Sequence, residues 1–534
     1  MKNIYVIIVF FLCGCSNFLS EYSQDMVRAK TVADFDEVLL GSVYVPSNAT
    51  TTTLINRESC SWFNIMDDDI SSVRSEQASG DGSWTARNKY YDLHAMTYGY
   101  YTWQQDVTEK PDGSQGFTDN TTWNDLYARI NYTNVILDEL DEITPDNERD
   151  ELKKNRIMGE TYFLRAQFFF ILANLYAAPY APETAATTLA VPLKLTPYVE
   201  HDKEKDTQFT RTTLDRVYAR IIEDLQESVR CFERGEVVSY RKIYRANKEA
   251  AQLLLSRVYL YMQDWENARM AAENFLKMDV TLEPMGDFLT SPFITEDNSE
   301  VLFSQSSQHL QNVLTAEAPD FCVSSDLYRL YDAANDYRIS FFQRVSSDSI
   351  ALVNKFPMDS DVSHRVSDVL MLRVAEGYLN MAEACAMLGD AGANTYLNAL
   401  RRMRIGGYAD QNYTGDELIG QVREERRKEL CFEGHRWFDL RRYSVCSQLP
   451  FRKQIVHPFH TYNDDGGYTG TEEEFQEVLA NAGGKPMGHG VTLLASAWSG
   501  NSQTITVPGV LADETKQLIQ PVPAIASQAA YLAS

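Results

Sequence analysis

Cysteine, histidine and positive charge are all scarce in this chain. Among 534 residues there are 8 cysteines and 8 histidines. No two cysteines form a Cys-x-x-Cys pair and none joins a histidine at zinc spacing, so a structural zinc site has no basis in the sequence. Lys and Arg number 49 against 75 Asp and Glu, a net charge of −26. A surface that acidic repels phosphate backbones, and nucleic-acid binding is not expected. Also missing are a Gly-x-Ser-x-Gly elbow, a His-Glu-x-x-His pair and a Gly-x-x-x-x-Gly-Lys loop, the signatures of common hydrolases, metalloproteases and nucleotide binders. A glycosidase needs only two carboxylates, and among 75 acids that class stays open. Past the N-terminus, no apolar run approaches the ~20 residues that span a bilayer.

What is there begins with "MKNIYVIIVFFLCGCSNFLSEY". Lys2 precedes an apolar run from Ile4 to Leu12, too short for a span and fitting the apolar region of a secretory signal. The run ends in Leu12-Cys13-Gly14-Cys15. A small residue directly before cysteine, with an aliphatic one three positions before it, resembles the bacterial lipobox. On that resemblance residues 1–14 are removed, and Cys15 is acylated and anchors the chain in a membrane. Six cysteines then remain: Cys60, Cys231, Cys322, Cys385, Cys431 and Cys446. Cys385 and Cys431 sit among apolar residues and read as packing residues. The sequence assigns no disulfide pairing.

Apolar spacing predicts a mainly α-helical chain. A short helix is expected near "TVADFDEVLLGSVY", then helices over "WNDLYARINYTNVILDELDEI", "ELKKNRIMGETYFLRAQFFFILANLY" and "TLDRVYARIIEDLQESVRCF". The second of these long helices is nearly apolar in its second half, which predicts burial on most sides. Residues 248–278 carry the clearest repeat signal. Leu255, Ser256 and Tyr259 fall on one helix, and Trp265, Ala268, Ala272 and Phe275 on the next. That spacing resembles a tetratricopeptide helix pair. "VLMLRVAEGYLNMAEACAMLGD" (369–390) reads as the first helix of another pair and "NTYLNALRRMR" as its second. "EVLFSQ" reads as a strand. Residues 450–517 are rich in Gly, Thr and Asn and predict loops with short strands.

The stretch "RRKELCFEGHRWFDLRRY" (426–443) has the residues of an active site. A catalytic reading would pair His435 as base with Glu433 as orienter, but neighbouring helix positions diverge by ~100°. The charges answer one another instead. Glu424 and Lys428 lie four apart, and Asp439 lies three from both Arg436 and Arg442. Asp416 is the expected N-cap of the preceding helix, Gly434 its expected C-terminal stop, and Trp437, Leu440 and Tyr443 a buried stripe. The reading is architectural. Asp67-Asp68-Asp69 offers the hard oxygens calcium takes, but adjacent loop side chains diverge, so hydrogen-bonded or solvated acids are expected and no cofactor is assigned. His457 and His460 in "HPFH" lack an evident third ligand.

Taken together, "RRKELCFEGHRWFDLRRY", the lipobox with "CSNFLSE", "WNDLYARINYTNVILDEL", "GETYFLRAQFFF", "MLRVAEGYLNMAEA" and, more weakly, "LYDAANDYR" resemble the SusD/RagB family of outer-membrane nutrient-binding lipoproteins. In order and spacing they cover nearly the whole chain. The ending "LIQPVPAIASQ" matches the family's usual close only in part. The resemblance implies one domain over 15–534: degenerate tetratricopeptide pairs forming a scaffold at about 123–278 and 365–445, loop-rich ligand-binding parts at about 58–122 and 300–345, and a loop-rich end at 446–534. It implies an oligosaccharide ligand, a TonB-dependent transporter as partner and no catalysis. It also points to the segment ahead of the first helix pair for ligand contacts. There Trp84, Tyr90 and Tyr91 stand in a polar, glycine-containing setting as stacking platforms. Trp62 reads equally as platform or core, Asp68 is a candidate for the sugar hydroxyls, and Trp103 and Trp123 are expected in the core. A second contact segment is expected from about His309 to Phe321. Rival readings are a peptide or other nutrient in the same arrangement, a surface glycosidase, and a pure scaffold.

Overall fold

A computed structural model describes residues 29–45, 56–57, 60–72, 98–101, 103, 120–197, 210–236, 243–305, 314, 321–345, 349–357, 366–368, 370–459, 492–494 and 501–506. Among the described residues the α-helices longer than four residues come in chain order as α1 (Val32–Val38), α2 (Asn120–Asp141), α3 (Glu148–Tyr176), α4 (Leu214–Arg234), α5 (Lys248–Tyr261), α6 (Trp265–Leu276), α7 (Val374–Met387), α8 (Ala393–Arg404), α9 (Gly415–Glu429) and α10 (Arg436–Ser444). The fold is mainly α, as expected. Consecutive helices from α2 to α6 pack on one another, and α7 packs on α5, α6, α8 and α9.

Local chemistry sets the starts. The side chain of Asn147 accepts from the Asp150 amide at 3.1 Å, and Glu148, Asp150 and Glu151 load the first turn of α3 with negative charge. Asn247 caps α5 through the Ala250 amide at 2.8 Å. The apolar half of α3 is enclosed, and Phe163, Phe168 and Phe169 expose nothing. Among the described residues no helix is long and apolar enough to cross a membrane.

The 248–278 pair forms as read, α5 against α6, with Ala268, Ala272 and Phe275 fully buried. The small residues let α7 approach, and the approach is tight. A Cβ on Gly377 of α7 would lie 2.2 Å from Cε1 and 2.4 Å from Cδ1 of Phe275. That ring is fully buried, so moving it aside means displacing core neighbours. Gly377→Ala should therefore cost about 1–3 kcal/mol, the range for overpacking. Chemical denaturation would show it as a lower midpoint at an unchanged slope.

Short strands join the loops. β1 (Ile70–Ser72) pairs antiparallel with β3 (Phe321–Val323), β2 (Val301–Ser304) with β4 (Met371–Arg373), and β5 (Gln454–Phe459) with β6 (Asn501–Thr506). The helix read from residue 369 starts only at Val374, because Met371–Arg373 is spent as a strand against β2. An apolar run of that length suits either structure, and the partner decides.

Candidate functional site

The stretch 426–443 folds as α9, a turn and α10, and its charges close on one another and on distant segments. Arg426 donates from Nε to Asp439 Oδ2 at 2.8 Å and from Nη1 to Asn380 at 2.8 Å. Arg442 takes the other Asp439 oxygen at 2.8 Å and forks onto Glu383 at 2.6 and 2.8 Å. Glu429 receives Arg373 at 2.7 Å and Arg404 and Arg338 at 3.0 Å. Glu433 receives Arg373 at 2.7 and 2.8 Å and Lys355 at 2.7 Å. None of these residues is more than a few per cent exposed.

Such a cluster cannot work as a general base. His435 is buried, and burial together with Arg257 and Arg426 holds its imidazole well below the usual value. Its Nδ1 faces the Arg426 guanidinium at 3.2 Å. A guanidinium only donates, so Nδ1 accepts and the ring proton sits on Nε2. Glu433 is turned toward Arg373 and Lys355, not toward His435.

Three local details differ from the sequence reading. Lys428 pairs with Asp336 at 2.9 Å, on another segment, and not with Glu424. Arg436 leaves Asp439 to Arg426 and Arg442 and pairs with Asp68. Helix α9 runs from Gly415, with Thr414 at its cap position, to Glu429. Its end is followed by a turn in which Phe432 (φ 60°) and Gly434 (φ 73°) are left-handed, so Gly434 closes the turn and not the helix.

The acidic triplet is a joint between chain segments. Asp67, Asp68 and Asp69 are 3%, 7% and 0% exposed. Arg436 grips Asp68 with both arms at 2.6 and 2.8 Å, Lys453 reaches it at 2.6 Å, and Arg427 holds Asp69 at 2.8 Å. Burial opposes the Asp68 charge, but Arg436, Arg427 and Lys453 outweigh it and hold the carboxyl well below the usual range. Asp67 goes the other way: burial, then Asp69 and Asp68, push it well above that range. One oxygen from each acid could lie within 4.8 Å of the others, a spacing a cation would accept. Three fixed cations already occupy the cluster, and a divalent ion would meet their repulsion. Asp68, expected to meet ligand, is thus buried under guanidinium and ammonium groups. A single sequence could not show this, because its partners lie more than 350 residues away.

Of the other expected contact residues, Trp84, Tyr90, Tyr91 and His309 lie outside the described residues, as does the anchor Cys15. Trp62 opens a 3₁₀ turn, Trp62–Ile65, whose backbone alone is described at that residue. The turn is fixed from three sides. Asn64 donates to Asp368 at 2.9 Å and accepts from the Gly434 amide at 3.0 Å, and the Trp103 indole donates to the Met66 carbonyl at 3.0 Å. Trp103 and Trp123 are core residues, 0% and 3% exposed, as expected. Cys385 and Cys431 are buried packing thiols. The sequence reads His457 only as half of a metal pair with His460, which lies outside the described residues. It is instead buried between the rings of Tyr101 and Trp103. Nothing in "HPFH" signals that position, which depends on β5 meeting the 98–103 segment.

Comparison with known proteins agrees with this architecture. Residues 56–260 match the model of a SusD-like family described as "Starch-binding associating with outer membrane", and residues 342–487 match that of the SusD family. The chain is similar to "SusD-like protein P2" of Formosa agariphila, 25% identical over 389 residues, 61% of this chain and 72% of that one. It is similar to "SusD-like protein P25" of the same organism at 23% over 409 residues, 64% and 73% of the two chains. Among solved structures, a putative sugar binding protein from Bacteroides vulgatus superposes with a TM-score of 0.60 at 23% identity, covering 84% of this chain and 92% of that one. A SusD superfamily protein from Bacteroides thetaiotaomicron gives 0.60 at 21%, covering 77% and 89%.

Proposed function

The chain belongs to the SusD/RagB family, and from that premise we propose that it is a cell-surface glycan-binding lipoprotein. It captures an oligosaccharide and passes it to a TonB-dependent outer-membrane transporter, held in the membrane by acyl chains on Cys15. It catalyses nothing itself. The observation that carries this reading is the match of residues 56–260 to a family described as starch-binding and associating with the outer membrane. That span contains the aromatic segment expected to meet ligand. The architecture of 426–443 fits a binding protein, since its acids, its bases and His435 are already engaged with one another.

Ligand contact is assigned first to Trp84, with Tyr90, Tyr91, Trp62 and His309 as the other candidates. An indole in "ASGDGSWTARNKYY" has polar and glycine neighbours and no apolar stripe to join. Its flat face suits the C–H side of a sugar ring. Trp84→Ala should weaken binding by at least ~2 kcal/mol, roughly 30-fold, as loss of a hot-spot ring does. The melting temperature should hardly move. The cognate oligosaccharide is first found on a glycan array with the mature chain, then titrated calorimetrically. Parent-like affinity in Trp84→Ala, Tyr90→Ala and Tyr91→Ala would move the site to the 309–321 segment. An array that is blank for glycans but answered by peptides would replace the ligand class.

A further inference from the structure

His457, on β5, is 1% exposed and opposite Gln503 of β6. Its Nδ1 lies 2.7 Å from the carbonyl oxygen of Tyr101 and its Nε2 lies 2.7 Å from the carbonyl oxygen of Asp67. A carbonyl oxygen accepts and cannot donate. Neutral imidazole has one N–H and one lone pair, so it can satisfy one of these oxygens and must set its lone pair against the other. Imidazolium donates from both nitrogens and satisfies both. The ring faces suit the same charge. Tyr101 stacks on one side at 4.2 Å and 8°, and Trp103 on the other at 4.3 Å and 20°. A cation between two π faces is attracted by each. Trp103 is held there in a left-handed backbone conformation (φ 53°), and its indole N–H is bonded to Met66, the neighbour of Asp67. Backbone strain at a buried, non-glycine residue persists only where the surroundings enforce it.

We propose that His457 is a proton-operated clamp: as imidazolium it ties the Asp67 and Tyr101 carbonyls together, and on losing its proton it lets one of them go. Asp67 and Tyr101 are 34 positions apart in the chain, so the clamp joins two separate described segments through one ring. The clamp is independent of the ligand proposed above.

The charged and titratable groups around the clamp come from every neighbouring element. The turn before β1 brings the carboxyls of Asp67, Asp68 and Asp69. Lys453 precedes β5 and pairs with Asp68 and Asp326. Arg427 of α9 and Arg436 of α10 hold the acids from the far side. Tyr100 and Tyr101 bring phenols, and Phe321 of β3 packs on Tyr101. Burial opposes the charge and pushes the imidazole down to about 4, while the two carbonyls and Asp68 push it up. The transition therefore lies on the acid side of neutrality.

The test is an NMR titration of the mature chain, selectively ¹⁵N-labelled at His and Trp, from about pH 7.5 down to about pH 3.5, the span in which a perturbed imidazole changes charge. The His457 ring should pass from one N–H to two as pH falls. The Trp103 indole signal, identified by its loss in Trp103→Phe, should shift with the same midpoint. His457→Gln, which retains a donor and an acceptor but cannot take up the proton, should abolish that transition at Trp103. A ring that keeps a single N–H at every pH at which the chain is folded would overturn the clamp. So would a Trp103 transition that persists in His457→Gln, or one in the parent whose midpoint differs from that of His457. Should His457→Gln fail to fold, the coincidence or disagreement of the two midpoints in the parent decides alone.

Discussion

Glu429→Ala should lower the free energy of unfolding by about 3–5 kcal/mol, the range for removing one partner from a buried ion network. Glu429 is 2% exposed and answers three guanidinium groups, those of Arg373, Arg404 and Arg338. Each of these has another acid, Glu433 and Glu300 for Arg373, Glu300 for Arg404, Asp336 and Glu425 for Arg338. The network would therefore keep its other pairs but lose one negative charge, and its positive excess would grow by one in a region closed to water. That excess is the main cost; the lost methylenes add a smaller cavity term. Glu429→Gln keeps the shape and should fall between parent and alanine variant. Denaturant titration decides, and an unmoved midpoint in the alanine variant would sink the account.

The same residue sets an acid limit. Burial would raise the Glu429 carboxyl, but Arg404, Arg373 and Arg338 outweigh it and hold it well below the usual range. Glu425 and Asp439 are lowered likewise. A depressed folded value means fewer protons bound than in the unfolded chain. The stabilisation is then complete above the unfolded carboxylate value, about 4.3 for Glu, and is lost as pH falls below it toward the folded value.

How much of this was legible in the sequence depended on distance along the chain. The α5–α6 pair was readable because its evidence is local: Ala268, Ala272 and Phe275 recur at helical spacing within a dozen residues. The architectural nature of 426–443 was readable for the same reason, since Asp439 and Arg442 do pair at three residues' separation. Partner choice was not. Arg436 has an acid three residues on and takes Asp68, 368 positions back. Lys428 has Glu424 one turn away and takes Asp336. Burial decides the Lys428 case, because exposed Glu424 offers less to a desolvated cation than Asp336 enclosed with it. Asp439 is as buried as Asp68, but Arg426 and Arg442 already hold its two oxygens. The sandwich around His457 had no local signal at all, and its three rings come from two strand and turn segments 356 positions apart. The candidate ligand rings could be named only by composition and resemblance, since a platform that meets a sugar leaves no periodicity to read.

Trp437→Ala should also cost about 3–5 kcal/mol, the range for truncating a large buried aromatic, but with a different signature. Trp437 is 2% exposed on α10 and shares the main core with Leu430, Phe432 and Leu440. The neighbours Arg436 and Asp439 turn to ion pairs on other sides of the helix, so the ring fills space that no charge contests. Its removal leaves a cavity and no unpaired ion. The loss should therefore stay constant between about pH 5 and pH 8, well above the lowered carboxyls of Glu425, Glu429 and Asp439. Trp437→Phe, which refills part of the volume, should recover a good share of the loss. Glycan affinity of the folded variant should stay within about threefold of the parent, under ~1 kcal/mol, because a ring enclosed in the core offers a ligand no face. Thermal unfolding followed across that pH range, with titration calorimetry on the variant below its melting point, measures both. A large loss of affinity with normal stability would make this helix part of the binding surface and reverse the architectural reading of 426–443.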